Sequence, residues 1–286
     1  MEFRGYKMNK FKNIQWYPGH MFKTFKQLKN ELKLIDVVLV CLDARAPKSS
    51  KNPMIEELLK DKNCIYILNK YDLSDKSKTL EFIEKNKNKN NFLAINSKVQ
   101  ETRNKVIKKI NNVMNLINKK REKKGLRPKI SRVMITGIPN VGKSTLLNNL
   151  VRKKITKTGD VPGITKSLQW IRIDKRIEIL DTPGVLWPKF DNENIALNLA
   201  LIGSIKDKVL PIHEIFDYGI EYIKTNYYKR LVDRYQINEN KTEEESIAEK
   251  FGALGKDNSI DTNRVHSIFL NDLRSGKLGG ITLDEV

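Results

Sequence analysis

Gly137-Ile-Pro-Asn-Val-Gly-Lys143-Ser144 has the spacing G-x-x-x-x-G-K-[ST], a loop suited to wrapping the phosphates of a nucleotide. Its glycines let the backbone close on phosphate oxygens. The apolar run Arg132–Thr136 before it reads as a strand, and Thr145–Leu150 after it reads as a helix. A helix N-terminus presents unpaired N–H groups and a partial positive charge to an anion. Asn140, Val141, Gly142, Lys143, Ser144 and Thr145 are therefore the expected phosphate cradle. Lys143 would reach the outer phosphates as a catalytic cation, and Ser144 would ligate Mg²⁺.

Two further stretches supply what such a loop lacks. Asp181-Thr-Pro-Gly184 closes an apolar strand, so Asp181 is a candidate for the Mg²⁺ shell and the Gly184 N–H for the γ-phosphate. Thr165 ends a polar, turn-rich segment from Thr156. It is a candidate Mg²⁺ ligand that engages only when a γ-phosphate is present, an order–disorder switch. Asn69-Lys70-Tyr71-Asp72 also stands at a strand end and decides the base. Guanine offers N1–H and N2–H₂ as donors, and the Asp72 carboxylate accepts both. Adenine would face Asp72 with an acceptor. Two charge-assisted hydrogen bonds, each about 1.5–3 kcal/mol, discriminate roughly 10²–10⁴-fold. Lys70 would lay its alkyl stem along the base. Asn69 completes the motif, and Asn96 and Ser97, after another strand, would add backbone contacts to the guanine oxygen.

These residues need a scaffold that brings several strand ends together. Asp36–Asp43, Cys64–Leu68 and Phe92–Ile95 are apolar runs typical of strands buried on both faces. Helical patterns span Pro53–Lys60, Asp75–Lys87 and Thr102–Arg121 between them. Such alternation predicts a parallel, doubly wound α/β sheet whose ligand sits at the C-terminal strand ends. Two more strands, Ser167–Ile173 and Arg176–Leu180, are expected to join at Asp174-Lys175. The base-reading motif precedes the phosphate loop, so the order is rotated relative to most GTPases, as old termini lying close at the surface would permit.

Residues 1–35 read as a basic arm and an amphipathic helix with Phe22, Phe25, Leu28 and Leu32 on one side and Lys23, Lys26, Lys29 and Lys33 around them. Residues 36–204 read as the nucleotide domain. Residues 205–286 read as a smaller all-α domain with no strand alternation, whose Lys224, Lys229, Arg230, Arg234, Arg264, Arg274 and Lys277 suit either an RNA-facing surface or plain helical scaffolding. The net charge of +20, from 54 Lys+Arg against 34 Asp+Glu, implies a polyanionic partner, nucleic acid or an anionic membrane surface. A lysine- and asparagine-rich composition overall is the competing explanation. No apolar run is long enough to span a bilayer, and the start carries no secretory signal. Cys41 and Cys64 lie in strand-like runs, which argues for a reducing compartment, and three scattered histidines argue against a zinc cluster.

The rotated order, Trp16-Tyr-Pro-Gly-His-Met21, Asp43-Ala-Arg-Ala-Pro47, Gly137–Ser144 and Leu186-Trp-Pro-Lys189 together closely resemble the circularly permuted GTPases of the bacterial ribosome-biogenesis GTPase A (YlqF) group, from about Ile14 to Leu283. The resemblance implies a permuted P-loop GTPase fold with a helical C-terminal domain, GTP hydrolysis, and action late in assembly of the large ribosomal subunit through rRNA. Residues 1–13 are basic, which suits a mitochondrial or plastid relative, but they are short and not rich in Ser or Arg, so the expectation is a bacterial cytoplasmic protein, a monomer off the ribosome, with no DNA partner and no stable membrane insertion. Val185 stands where many GTPases carry a water-orienting Gln, which resembles the hydrophobic-substituted GTPases. Asn140 resembles the asparagine that holds K⁺ in potassium-stimulated GTPases. With that Gln missing, His20, behind the Pro18-Gly19 turn, is the candidate to position the attacking water. A GTP-gated RNA-binding placeholder with little turnover, or a GTPase acting on transfer RNA or at the inner membrane, are the competing functions.

Overall fold

The computed structural model describes residues 19–88, 90–152, 168–188, 190, 192–207, 209–237, 240–255 and 257–285, with side chains from Lys23 onward. The basic arm, Trp16–Pro18 and Thr165 lie outside the described residues, as does the side chain of His20.

Six strands make one sheet in the order β3-β2-β1-β4-β6-β5. They are β1 (Val37–Asp43), β2 (Asn63–Asn69), β3 (Asn91–Ala94), β4 (Ser131–Gly137), β5 (Gln169–Asp174) and β6 (Ile177–Asp181). All neighbours are parallel except β5 and β6, which are antiparallel through a turn at Lys175-Arg176, one residue later than the sequence suggests. The middle strand, β1, pairs with both β2 and β4, so the two halves of the rotated chain meet there.

Every residue of β1 is buried, which its unbroken apolar run demands. Val37, Leu39 and Cys41 face α4 (Glu101–Glu122) and α5 (Lys143–Val151), where they join Val106, Ile110, Leu146 and Leu150. Val38, Val40 and Leu42 face the other way, onto Leu28 of α1 (Gly19–Glu31), Ile55 of α2 (Pro53–Leu58) and Phe82 of α3 (Lys76–Asn86). Each such side chain contributes about 1.5–3 kcal/mol by leaving water. Local signals set the helix starts. The Asn52 side chain accepts the Met54 and Ile55 N–H groups at α2, with Pro53 in the first turn, and Asp75 accepts the Ser77 and Lys78 N–H groups at α3. The single helix expected to reach Leu34 instead tightens into a 3₁₀ turn at Leu32–Leu34, because Ile35 is already extended on its way into β1.

After β6 the described residues contain four helices: α6 (Glu193–Leu201), α7 (Ile212–Tyr235), α8 (Glu243–Phe251) and α9 (Thr262–Ser275). Helix α8 opens with a capping box between Thr242 and Glu245. Helix α6 packs on α7 and α9, so helical packing begins before residue 205. One buried cluster runs from the α4–α5 face of the sheet through Leu199 and Leu201 to Phe216, Val265 and Phe269. A division at residue 205 therefore separates functions in our proposal and does not separate two cores. The chain beyond α9 returns to the sheet edge. The Ile281 N–H donates to Leu73 O at 3.0 Å and the Leu283 N–H to Arg45 O at 2.7 Å. Asp284 is buried and accepts from the Lys48 and Ser49 N–H groups, the Ser49 hydroxyl and the Asn198 amide.

Candidate functional site

The register gathers the motifs. Asp43 is level with Asn69, Cys41 with Gly137, and Ile135 with Asp181. The loops after β1, β2, β4 and β6 thus leave one edge of the sheet, around the β1–β4 boundary where the direction of connection reverses. Ligands of open α/β sheets bind at that point.

On the phosphate side, Gly142 (φ 92°) and Asn140 (φ 60°) take left-handed backbone to turn the loop into α5. Gly142, at the N-cap, has no side chain to cap that helix, and a helix N-terminus favours an anion. Lys143 is buried and donates to Ile138 O, the loop's own backbone, at 2.7 Å. Burial pushes its ammonium down to about 8, against the raising influence of Cys41 and Asp181. Asp181 is 1 % exposed, and no donor among the described residues stands at good hydrogen-bond geometry to either carboxylate oxygen. Burial raises its pKa, and the Lys143 charge, more than the adjacent Thr182 N–H, counters that. A buried carboxylate with both oxygens unsatisfied costs stability unless something positive or protic meets it. A Mg²⁺ ion would fit that need, with Asp181 and Ser144 as residues that would hold it. Gly184 lies so close to the loop that a Cβ there would stand 2.7 Å from the Pro139 backbone. Any other residue would push the strand end off the phosphate loop.

On the base side, the expected guanine-binding residues divide. Asp72 is exposed and makes no hydrogen bond among the described residues, which leaves its carboxylate for a ligand. Lys70 (φ 57°) directs its ammonium to Asn140 O at 2.6 Å and to Asp43 at 3.0 Å, laying its stem between the base loop and the phosphate loop. Asn69, expected to face guanine, is instead a brace. Its amide donates to Val141 O at 2.8 Å, and its Oδ1 accepts the Ser97 N–H at 3.0 Å and the Ser97 hydroxyl at 2.7 Å. Ser97 is likewise spent on that brace, and the Asn96 Oδ1 accepts the Lys98 N–H. These bonds shape the base loop, and the Asn69 amide, which carries two N–H donors, spends one of them on Val141 O.

Some residues that build the site carry no nucleotide motif. Asp43, wholly buried, accepts Arg45 Nε at 2.9 Å, Arg45 Nη2 at 2.8 Å and the Arg45 N–H at 3.0 Å, besides Lys70. Burial alone would raise this carboxyl, yet Arg45 and Lys70 hold it well below the usual carboxylate range. Arg45 in turn donates to Ile202 O at 3.4 Å and Arg274 O at 3.3 Å. A carboxylate ending a wholly apolar strand was the available signal, and its partners two and 27 residues away were not. Val185, at the glutamine position, is 1 % exposed; its N–H donates to Gly137 O at 3.3 Å, and its carbonyl accepts the Asn52 amide at 2.8 Å. It faces the core and cannot orient a water molecule. The Asn140 amide donates to Gly203 O at 2.7 Å, and Ser204 to Pro139 O at 2.9 Å, tying the phosphate loop directly to the segment entering the C-terminal helices.

The basic residues expected to face RNA from the C-terminal helices are mostly engaged within the chain. Arg274 clamps Ala200 O at 2.7 Å, Leu201 O at 3.2 Å and both Asp207 oxygens. Arg234 pairs with Asp272 at 2.7 Å, Lys224 with Glu243 at 2.6 Å, and Arg264 closes the end of α8 through Gly252 O at 2.9 Å. The Arg230 guanidinium lies 4.4 Å over the Tyr227 ring. These contacts favour the scaffolding reading for Arg234, Arg264 and Arg274, because helix ends and interhelical carbonyls need donors.

Residues 132–250 match the family described as 50S ribosome-binding GTPase. Ribosome biogenesis GTPase A of Bacillus cereus is 41% identical over 279 residues, covering 95% of this chain and 93% of its own. The chain belongs to the ribosome biogenesis GTPase A family. Two solved structures are similar at TM-score 0.66 and 26% identity: GDP-bound YlqF, covering 91% of this chain and 98% of its own, and GNP-bound YlqF from Thermotoga maritima, covering 92% and 98%. The protein is a GTPase of ribosome biogenesis; it binds guanine nucleotide and hydrolyses GTP, on a circularly permuted P-loop sheet followed by a helical C-terminal region. No helix among the described residues is long and apolar enough to cross a membrane.

Proposed function

We propose that the chain is a late assembly factor of the large ribosomal subunit, held on rRNA in its GTP state and released by hydrolysis. The observation that carries the chemistry is Asp181, a buried carboxylate with no well-placed donor among the described residues, facing the buried ammonium of Lys143. The family description, 50S ribosome-binding GTPase, supports the choice of subunit. In this reading Asn140, Val141, Gly142, Lys143, Ser144 and Thr145 cradle the phosphates and the Gly184 N–H meets the γ-phosphate. Asp72 accepts guanine N1–H and N2–H₂. Ser144, Thr165 and Asp181 hold Mg²⁺, which when bound neutralises charge on the β- and γ-phosphates. Lys143 leaves Ile138 O for the phosphates and regains full charge there. A K⁺ ion beside the phosphates would use Asn140 Oδ1, since the Asn140 amide nitrogen is turned to Gly203 O. His20 positions the attacking water. The chain works in the cytoplasm, as a monomer away from the ribosome.

The buried Val185 favours one competing reading, an RNA-bound placeholder with negligible turnover, because an apolar side chain turned into the core stands where many GTPases carry the water-orienting glutamine. Co-sedimentation with large-subunit precursors tests the proposal. The chain should pellet with the particles in a non-hydrolysable GTP analogue and stay in the supernatant with GDP. Equal pelleting in both nucleotides, or none in either, contradicts it.

A further inference from the structure

Residues 119–129 contain seven lysines and arginines and one acid, Glu122. They form the last turn of α4 and the connection into β4, and all but the half-buried Arg121 are exposed. Lys119, Lys120, Lys123, Lys124 and Arg127 make no ion pair among the described residues; in this stretch only Lys129 does, with Asp36. The C-terminal helices differ in kind, since Arg234, Arg264 and Arg274 are bound to carboxylates and carbonyls and Arg230 lies over the Tyr227 ring. The segment is also folded, not a loose tail. Gly125 (φ 68°) reverses the chain, Arg121 Nε donates to Arg127 O at 3.1 Å, and the Lys129 N–H donates to Asn118 Oδ1 at 3.3 Å. Like charges held this close repel one another, and no ion pair among the described residues offsets those five. Because α4 runs antiparallel to the strands, this pole lies at the sheet edge opposite the nucleotide. An anion bound here leaves the nucleotide edge open.

We infer that this pole, built by Lys119, Lys120, Lys123, Lys124 and Arg127, is an RNA-phosphate contact surface separate from the C-terminal helices. The inference rests on the proposal that the chain acts on rRNA, and it assigns that contact a place. RNA is the occupant the observations favour, because a fixed array of cations outside any ion pair matches a backbone of regularly spaced phosphates.

The test is a combined variant, Lys119→Gln, Lys120→Gln, Lys123→Gln and Lys124→Gln, which keeps helix-compatible side chains at exposed positions. A matched control neutralises four exposed lysines elsewhere: Lys60→Gln, Lys76→Gln, Lys175→Gln and Lys250→Gln. Binding to transcribed large-subunit rRNA is measured across a salt series, with GDP affinity as the check on folding. The patch variant should bind RNA at least about tenfold more weakly and show a shallower salt slope, by about 0.7 for each phosphate that is no longer neutralised. Its GDP affinity should match that of the unmodified chain, and the control should retain RNA affinity. Equal weakening in both variants would make net charge, not this surface, responsible and would overturn the inference. Unchanged RNA binding in the patch variant overturns it while leaving the rRNA proposal standing. If the unmodified chain itself fails to bind rRNA, the proposed function falls as well. If only binding to anionic phosphatidylglycerol vesicles is weakened, the pole is a membrane surface and the inference is wrong.

Discussion

The two halves of the nucleotide site are built on opposite principles. On the base side the strand-end polar groups other than Asp72 are already satisfied by the protein. Asn69 ties Val141 to Ser97, and Asp43 holds both Arg45 and Lys70. On the phosphate side the groups wait. Asp181 has no well-placed donor among the described residues, Lys143 is parked on its own loop with a depressed pKa, and α5 begins without a side-chain cap. A guanine reader gains from rigidity, since it must reject adenine by geometry. A phosphate-and-metal site gains from unsatisfied charge, since each unmet group is a contribution to binding that the ligand supplies.

Substitutions should split along that line. The largest effect is expected at Asp72, the base side's open carboxylate. Asp72→Asn forfeits two charge-assisted bonds, so GTP affinity should fall at least about 10²-fold. Affinity for xanthosine triphosphate, whose C2 carbonyl can accept from the new amide, should rise in the same titration, and thermal stability should stay put. Asp43→Ala strikes the brace instead. It leaves buried Arg45 without its carboxylate, so unfolding by urea should show a loss of about 3–5 kcal/mol. A loss under about 1 kcal/mol would mean that the base side is not held this way.

Lys143→Ala should do the reverse of Asp43→Ala. Turnover should fall about 10²–10³-fold, as for removal of one preorganised charge-stabilising donor, with the unfolding midpoint preserved. A buried ammonium whose pKa is lowered opposes folding in its charged form, so its removal takes no stability away. Asn69→Ala bridges the halves. A smaller loss of about 1–3 kcal/mol should appear in both stability and nucleotide affinity, because Val141 and Ser97 lose a shared partner. The smallest effect is one of pH. With a lysine near 8 in the empty site, binding below that pH needs no proton, and binding above it must take one up. GDP affinity should therefore fall about fourfold between pH 7 and 8.5. A flat profile would show that Lys143 keeps its charge in the empty loop.

Much of this fold was legible because its signals are local. Continuous apolar runs marked β1 and β2 as buried, and glycine spacing marked the phosphate loop before any spatial neighbour was known. The rotated order followed from the place of Asn69–Asp72 ahead of Gly137–Ser144. Roles that depend on long-range partners were not legible. Asn69 and Ser97 are side chains of the right type for guanine, yet Asn69 is bonded to Ser97 and to Val141. The arginines of α7 and α9 read as a surface for RNA because a free arginine and one bound to a carbonyl on another helix look alike in a sequence. Asp284 sits near the end of the chain and gives no local hint that it docks on Ser49. Conversely, the basic stretch at 119–129 reads in sequence as a solvated linker or a phosphate contact, and its folded arrangement, with most of its cations outside ion pairs among the described residues, supports the second.

The central claim is that an open phosphate side, with Val185 turned inward, makes hydrolysis slow until a large-subunit particle completes the site. GTP turnover measured with and without purified large-subunit precursors tests it most directly. The account predicts slow turnover alone and stimulation of at least about tenfold with particles, abolished in Lys143→Ala. Turnover that is equally slow with saturating particles would contradict it and leave a GTP-gated binder in place of a stimulated enzyme.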